Sequence, residues 1–322
     1  MLSQLLRLVL AACLACSILP AAQAQTGKWP EKPVRIIVAA APGGGDDFVT
    51  RLIAPKLGEL LGQQFITENR VGVGGMIGQT FVQKSAPDGY TWLLAGGSMA
   101  GARLVNANVT YDVLRDFTPV TLLETSPFFM VVHPTVPAKN LKEYIALARA
   151  RPGNMTFATL GGQMPYWNAL LFNSMARIKA VEVPYKSLAD AGIDVIAGRI
   201  DYYFAPSAQY AASQTRLRAL AITGPVRSTT FPQVPTIAEA ALPGYDLPAW
   251  RSIMGPAGVR RDIVDSLNAA IRRTLAMPDV REKMLTAGHE PQPSSPEELG
   301  KRYAAWITIF GKVAQEAGLK PQ

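Results

Sequence analysis

The stretch Pro42-Gly43-Gly44-Gly45-Asp46-Asp47 stands between a β-branched apolar run and a helical pattern. A helix entrance presents unpaired amides and about half a positive charge. Glycine lets an anion approach the backbone closely, so such loops take carboxylates or phosphates. Gly161-Gly162-Gln163 repeats the theme before the helical pattern that starts at Tyr166. One such loop alone is equally well a tight strand–helix turn. Two, one per α/β unit, could face each other across a cleft and clamp one small anion, with Ser98 nearby. The candidate ligand contacts are therefore Pro42, Gly43, Gly44, Gly45, Asp46, Asp47, Ser98, Gly161, Gly162, Gln163, Tyr166 and Arg251.

Several of these have a plainer alternative. Asp46 or Asp47 is a natural helix N-cap. As a ligand contact, Asp46 would repel a carboxylate by about 1–4 kcal/mol at 4 Å and attract an ammonium. Arg251 is either a surface or hinge arginine or a bidentate carboxylate clamp, and Arg103 is similar. Tyr166, Trp167 and Trp250 are core aromatics or ligand stackers.

Catalytic signatures fail one by one. Gly72-Val73-Gly74 is followed by Ile77 where a dinucleotide fingerprint needs glycine. Gly96-Gly97-Ser98-Met99-Ala100 lacks the final glycine of a nucleophile elbow. The chain has two histidines, His133 and His289, and both read as structural, so a Ser-His-acid triad has few ways to form. Two His and two Cys nearly exclude a zinc site. No metal and no cofactor is expected.

The elements that position these loops follow from periodicity. Val34–Ala40 reads as a strand and Val49, Leu52, Ile53, Leu57, Leu60 and Leu61 as one helix face, stopped by Gly62 and kinked or shortened by Pro55. Further strands are expected at 65–68, 90–95, 117–124, 128–132, 155–158, 180–183, 200–204 and 217–222. Helices are expected up to about Ser85 and over 141–150, 166–177 and 188–197. After about Trp250 the pattern reads as helical, with 261–276 and 296–317 the clearest segments. Strand, glycine loop and helix in alternation indicate α/β architecture with mainly parallel pairing. Two units without a flexible linker imply a hinge and a cleft.

The first residues form a separate object. Arg7, an apolar run Leu8–Leu19 and Ala22-Gln23-Ala24 read as a signal peptide cleaved after Ala24. The run is too short for a spanning helix, which needs about 20 residues; Leu10-Ala11-Ala12-Cys13 also resembles a lipoprotein signal. Cleavage would remove Cys13 and Cys16, leaving no thiol, and would lower the formal charge from +8 to +7. Of the 322 residues, 48% are hydrophobic and 17% charged, a globular composition of about two domains. The basic excess is unclustered, which argues against nucleic-acid binding.

An ordered set of segments carries a family resemblance. Trp29-Pro30, Lys32-Pro33-Val34-Arg35-Ile36-Ile37-Val38 and Pro42-Gly43-Gly44-Gly45 come first, then Glu68-Asn69-Arg70 and Ala86-Pro87-Asp88-Gly89-Tyr90. Asp116-Phe117-Thr118-Pro119-Val120, Val132-His133-Pro134, Val183-Pro184-Tyr185-Lys186, Pro232, Val234-Pro235-Thr236 and Pro256-Ala257-Gly258 follow. Over nearly all of residues 29–322 the chain resembles the Bug (TctC-type) family, periplasmic solute-binding receptors of tripartite tricarboxylate transporters. The resemblance implies an α/β, two-lobed periplasmic-binding-protein fold of type II with the ligand cleft between the lobes. It places lobe 1 at 25–126 and 248–322 and lobe 2 at 127–247, after a leader at 1–24. It also implies a small organic carboxylate ligand, transporter subunits in the membrane as partners, and a periplasmic location; a monomer is expected.

The chain departs from the family pattern at the site. Asp46 stands where threonine is usual; Gln163-Met164-Pro165-Tyr166 replaces a serine-rich stretch; Phe204-Ala205-Pro206 offers no acid or amide; Arg251-Ser252 follows Trp250. Altered specificity, with an aromatic ligand one option, is the expectation. A sensor of the same fold feeding a signalling system is the alternative function, and an exported hydrolase a remoter one.

Overall fold

The computed structural model describes residues 29–321. The expected leader, its cleavage point and both cysteines lie outside the described residues. Strand β1 (Val34–Val38) is buried on both faces. Val34, Ile36 and Val38 enter one core while Ile37 enters another, the period-two alternation of a central strand. Helix α1 (Gly45–Leu61) covers the first of these cores with Val49, Ile53 and Leu57. It continues through Pro55 and stops at Gly62, whose φ of 77° lets its N–H bond back to the Gly58 carbonyl. β2 (Phe65–Asn69), α2 (Met76–Gln83), β3 (Thr91–Gly96) and β4 (Phe117–Ser126) follow.

The middle of the chain contributes β5 (Phe128–Val132), α3 (Leu141–Ala150), β6 (Met155–Thr159) and α4 (Met164–Ala176). Then come β7 (Ala180–Pro184), α5 (Leu188–Ile196), β8 (Tyr203–Pro206), α6 (Ser207–Ser213) and β9 (Arg218–Ile222). The last part holds β10 (Ala249–Pro256), α7 (Arg261–Leu275), α8 (Pro278–Thr286), the short β11 (Glu290–Pro291) and α9 (Pro296–Glu316).

A six-stranded sheet has the order β11-β4-β10-β3-β1-β2. A second, three-stranded sheet has the order β8-β5-β9, and the parallel pair β6-β7 adjoins it through a Phe157–Tyr202 bridge. The chain leaves the first sheet after Ser126 and re-enters it at Ala249.

Two expectations are corrected here. Pairing is not mainly parallel: β1 is parallel to β2 and β3, and β6 to β7, but β10 is antiparallel to β3 and β4, and β5 to β8 and β9. Strands that carry the chain from one sheet to the other enter in the opposite direction. The region after Trp250 begins with a strand, not a helix. β10 inserts between β3 and β4, and that placement rather than its own composition makes it extended.

The C-terminal helix ties the two halves together. Trp306 packs edge-on against Trp250 at 5.0 Å, and Phe310 stacks on Trp167 of α4 at 4.3 Å. Trp167 and Trp250 are fully buried, so both belong to the core. Gly101 is required at this contact, because a Cβ there would lie 2.4 Å from the Trp167 ring.

Candidate functional site

Because β2 and β3 both run parallel to β1, the loops after them emerge at one edge of the sheet, the side on which open α/β sheets bind ligands. There a cavity of 1030 Å³ is lined by segments from both halves. Val73, Gly74, Gln79, Ser98, Asn106 and Asn108 come from the side of the first sheet. Gly161, Gly162, Gln163, Tyr166 and Glu182 come from the other, with 318–321 along the rim. Five of the sequence-derived candidates are thus brought together: Ser98, Gly161, Gly162, Gln163 and Tyr166. Pro42, Gly43, Gly44, Gly45, Asp46, Asp47 and Arg251 are not among its lining residues.

The entrance of α4 opens on this cavity. Gln163 is its N-cap, without a side-chain capping bond, and its first turn holds no acid. Gly162 has a φ of 72° and a Cβ there would lie 3.0 Å from Val105, whereas a Cβ on Gly161 would meet nothing within 4 Å, so the open space lies at Gly161. Tyr166 is 7% exposed; burial first, and the nearby Glu182 charge second, push its phenol up to about 12. It therefore remains a neutral donor at the cavity wall. Glu182 sits on β7 and accepts a 2.6 Å bond from the hydroxyl of buried Thr159.

The entrance of α1 is different. Its N-cap is Gly44, not Asp46 or Asp47, which lie in the first turn. Asp47 reaches back to accept from the Gly43 N–H at 3.0 Å and from Arg51 at 2.9 Å. These two donors, Arg51 first, hold its carboxyl at about 2. Arg51 also donates to Asn69, whose amide donates to the Ala40 carbonyl, so the loop is pinned at both ends. Two carboxylates already occupy the positive end of this helix dipole.

Asp46 is bound to Arg251, with Nε–Oδ1 at 2.5 Å. The cap alternative for Asp46 is thereby replaced by an ion pair, and the surface reading of Arg251 by a part-buried one. The same guanidinium donates to Glu124 at 2.6 Å and to Ser126 at 3.3 Å, and Nδ1 of His289 lies 3.3 Å from it. His289 also approaches Glu124 at 3.4 Å and stacks on Phe48. Glu124 is wholly buried. Burial pushes its carboxyl up, but Arg251 and His289 together outweigh this and hold it below its ordinary value. Gly45 has to be glycine here: a Cβ would lie 2.7 Å from Arg251 Nη2 and 3.2 Å from His289. Arg103 pairs with Asp112 at 3.5 Å and does not line the cavity. His133 bonds its neighbour Thr135.

Sequence reasoning missed Glu182, Gln79, Asn106 and Asn108 at the cavity and Glu124 behind the α1 entrance, while His289, read as structural, joins the Glu124–Arg251 cluster. None carries a local signal; sheet register and loop packing bring them in. A second cavity of 910 Å³ lies along β2 and α2 and contains none of the candidates. Among its cations, Lys32 pairs with Asp88, and Arg35 and Arg70 with Glu68.

Two α/β halves, two chain crossings and a cavity between loops of both define a two-lobed solute-binding protein. The chain belongs to the tripartite tricarboxylate transporter receptor family, whose model matches residues 49–319. It is 33% identical to Protein BugT of Bordetella pertussis over 306 residues, 93% of this chain and 94% of that one. The solved structure of R. palustris Rpa4515 with adipate superposes with a TM-score of 0.79 at 32% identity, covering 91% of this chain and all of that one. MatC of Rhodopseudomonas palustris with bound malate gives 0.75 at 30% identity, covering 89% and 100%. The expected α/β two-lobed periplasmic-binding-protein fold and the receptor class are thus both met.

Proposed function

We propose that the chain is a periplasmic receptor that captures a small organic carboxylate and delivers it to membrane subunits of a tripartite transporter. The observation that carries this reading is the entrance of α4, uncapped by any side chain and with open space at Gly161, facing a cavity lined from both halves. One ligand carboxylate sits there, with Ser98, Gln163 and Tyr166 as further partners. The lobes are 25–126 with 248–322, and 127–247, after a cleaved leader. Closure between them brings the Pro42–Gly45 loop toward the ligand as the opposing wall; the space in front of Gly43 is open. Adipate and malate in the related structures are ligands of this chemistry. The protein binds as a monomer and catalyses nothing; the histidines are committed elsewhere, His289 to the Glu124–Arg251 cluster and His133 to Thr135.

A thermal-shift screen of small organic acids tests the reading. Carboxylates are expected to raise the melting temperature, and their amides and esters are not. Stabilisation by neutral compounds alone would defeat it.

A further inference from the structure

Resting on that reading, we propose that Glu182 selects the ligand: the captured acid carries an ammonium or equivalent cationic donor besides its carboxylate. Glu182 and Lys320 are the formally charged residues lining the cavity, so no arginine stands ready for a second carboxylate. Glu182 is exposed but tethered. β7 pairs in register with β6, Glu182 opposite Phe157, and the Thr159 hydroxyl anchors Oε1 at 2.6 Å. Thr159 is two residues before Gly161, which keeps the Glu182 carboxylate within roughly 12 Å of the open amides of the α4 entrance. A gap bounded in this way admits an acid whose carboxylate and ammonium lie toward opposite ends, as the distal carboxylate and the α-ammonium of an acidic amino acid do. No cation among the described residues pairs with Glu182 within 4 Å. Its second oxygen takes no hydrogen bond there either. Lys320 has no ion pair among the described residues, and its position beside the cavity rim makes it the weaker determinant.

A plain diacid placed with one end at α4 would bring its other end toward this carboxylate, at a like-charge cost. An amino acid would instead match both ends of the site. The Asp46 carboxylate, the sequence's first candidate for this role, is paired with Arg251 and does not line the cavity.

The test is calorimetric titration with two matched pairs of probes, adipate with 2-aminoadipate and malate with aspartate. Wild type is expected to bind the amino member of at least one pair about tenfold more tightly, the scale of one charge-assisted hydrogen bond. Glu182→Gln keeps an acceptor for Thr159, and should erase that preference by weakening the amino member. Glu182→Lys should reverse it. Tighter binding of the plain diacids by wild type, unchanged in both variants, would overturn the role of Glu182 and leave the carboxylate reading standing. Failure of wild type to bind any of the four probes would overturn both.

Discussion

Replacing Arg251 by methionine probes the ion cluster behind the α1 entrance. The side chain is 16% exposed and lies between Glu124, at 0%, and Asp46, at 40%. Breaking a buried pair by removing one partner costs about 3–5 kcal/mol, because the other charge stays behind uncompensated. The exposed Asp46 bond adds less than about 1 kcal/mol. His289, 3.4 Å from Glu124, remains as a partial partner. The expected loss at pH 7 is therefore near the lower end, about 3 kcal/mol, read from urea unfolding followed by tryptophan fluorescence. The pH dependence gives a second signature. In wild type the Glu124 carboxyl is held below its ordinary value, so its contribution is present above the unfolded value and fades as pH falls. Without Arg251, burial dominates and raises the carboxyl above its ordinary value, so acid relieves the variant. The deficit should narrow by at least about 1 kcal/mol between pH 7 and pH 5, and adding Glu124→Gln should recover most of it at pH 7. A loss below about 1 kcal/mol at pH 7, or one that widens in acid, would refute the reasoning.

Other outcomes follow from the same geometry. Asp46→Thr should leave affinity for plain dicarboxylates within about threefold, since Asp46 is paired with Arg251 and does not line the cavity, and should cost about 1 kcal/mol or less in denaturant unfolding. Gly45→Ala should lose about 1–3 kcal/mol, because its Cβ is built into the Arg251 and His289 side chains. Gly44→Val meets only the Ala41 carbonyl, at 3.7 Å, so it should fold normally, and titration should show weaker binding if the Pro42–Gly45 loop closes on the ligand.

Much of the fold was legible because it is local. The β1 and β5 runs, the Gly62 stop and the long amphipathic α7 and α9 follow from periodicity and punctuation alone. β10 was not legible. Ala-Trp-Arg-Ser-Ile-Met-Gly-Pro has neither a clean alternation nor an apolar run, and it is extended because β3 and β4 hold it on both sides. The site divides in the same way. The glycine loops announce themselves, but Asp46 and Arg251 meet across 205 positions and Arg251 and Glu124 across 127. Glu182 looks like any polar residue in a short strand until its register beside Phe157 and its bond to Thr159 place it in the cavity wall.

The most direct measurement is a calorimetric comparison of wild type and Gly161→Val with whichever organic acid stabilises the protein most. A Cβ at Gly161 meets no protein atom within 4 Å, so the variant should keep its fold while its side chain obstructs the amide face. One-to-one binding by wild type, weakened more than tenfold in the variant at unchanged melting temperature, is the expected result. Equal affinity in the two proteins would contradict a carboxylate site at the entrance of α4.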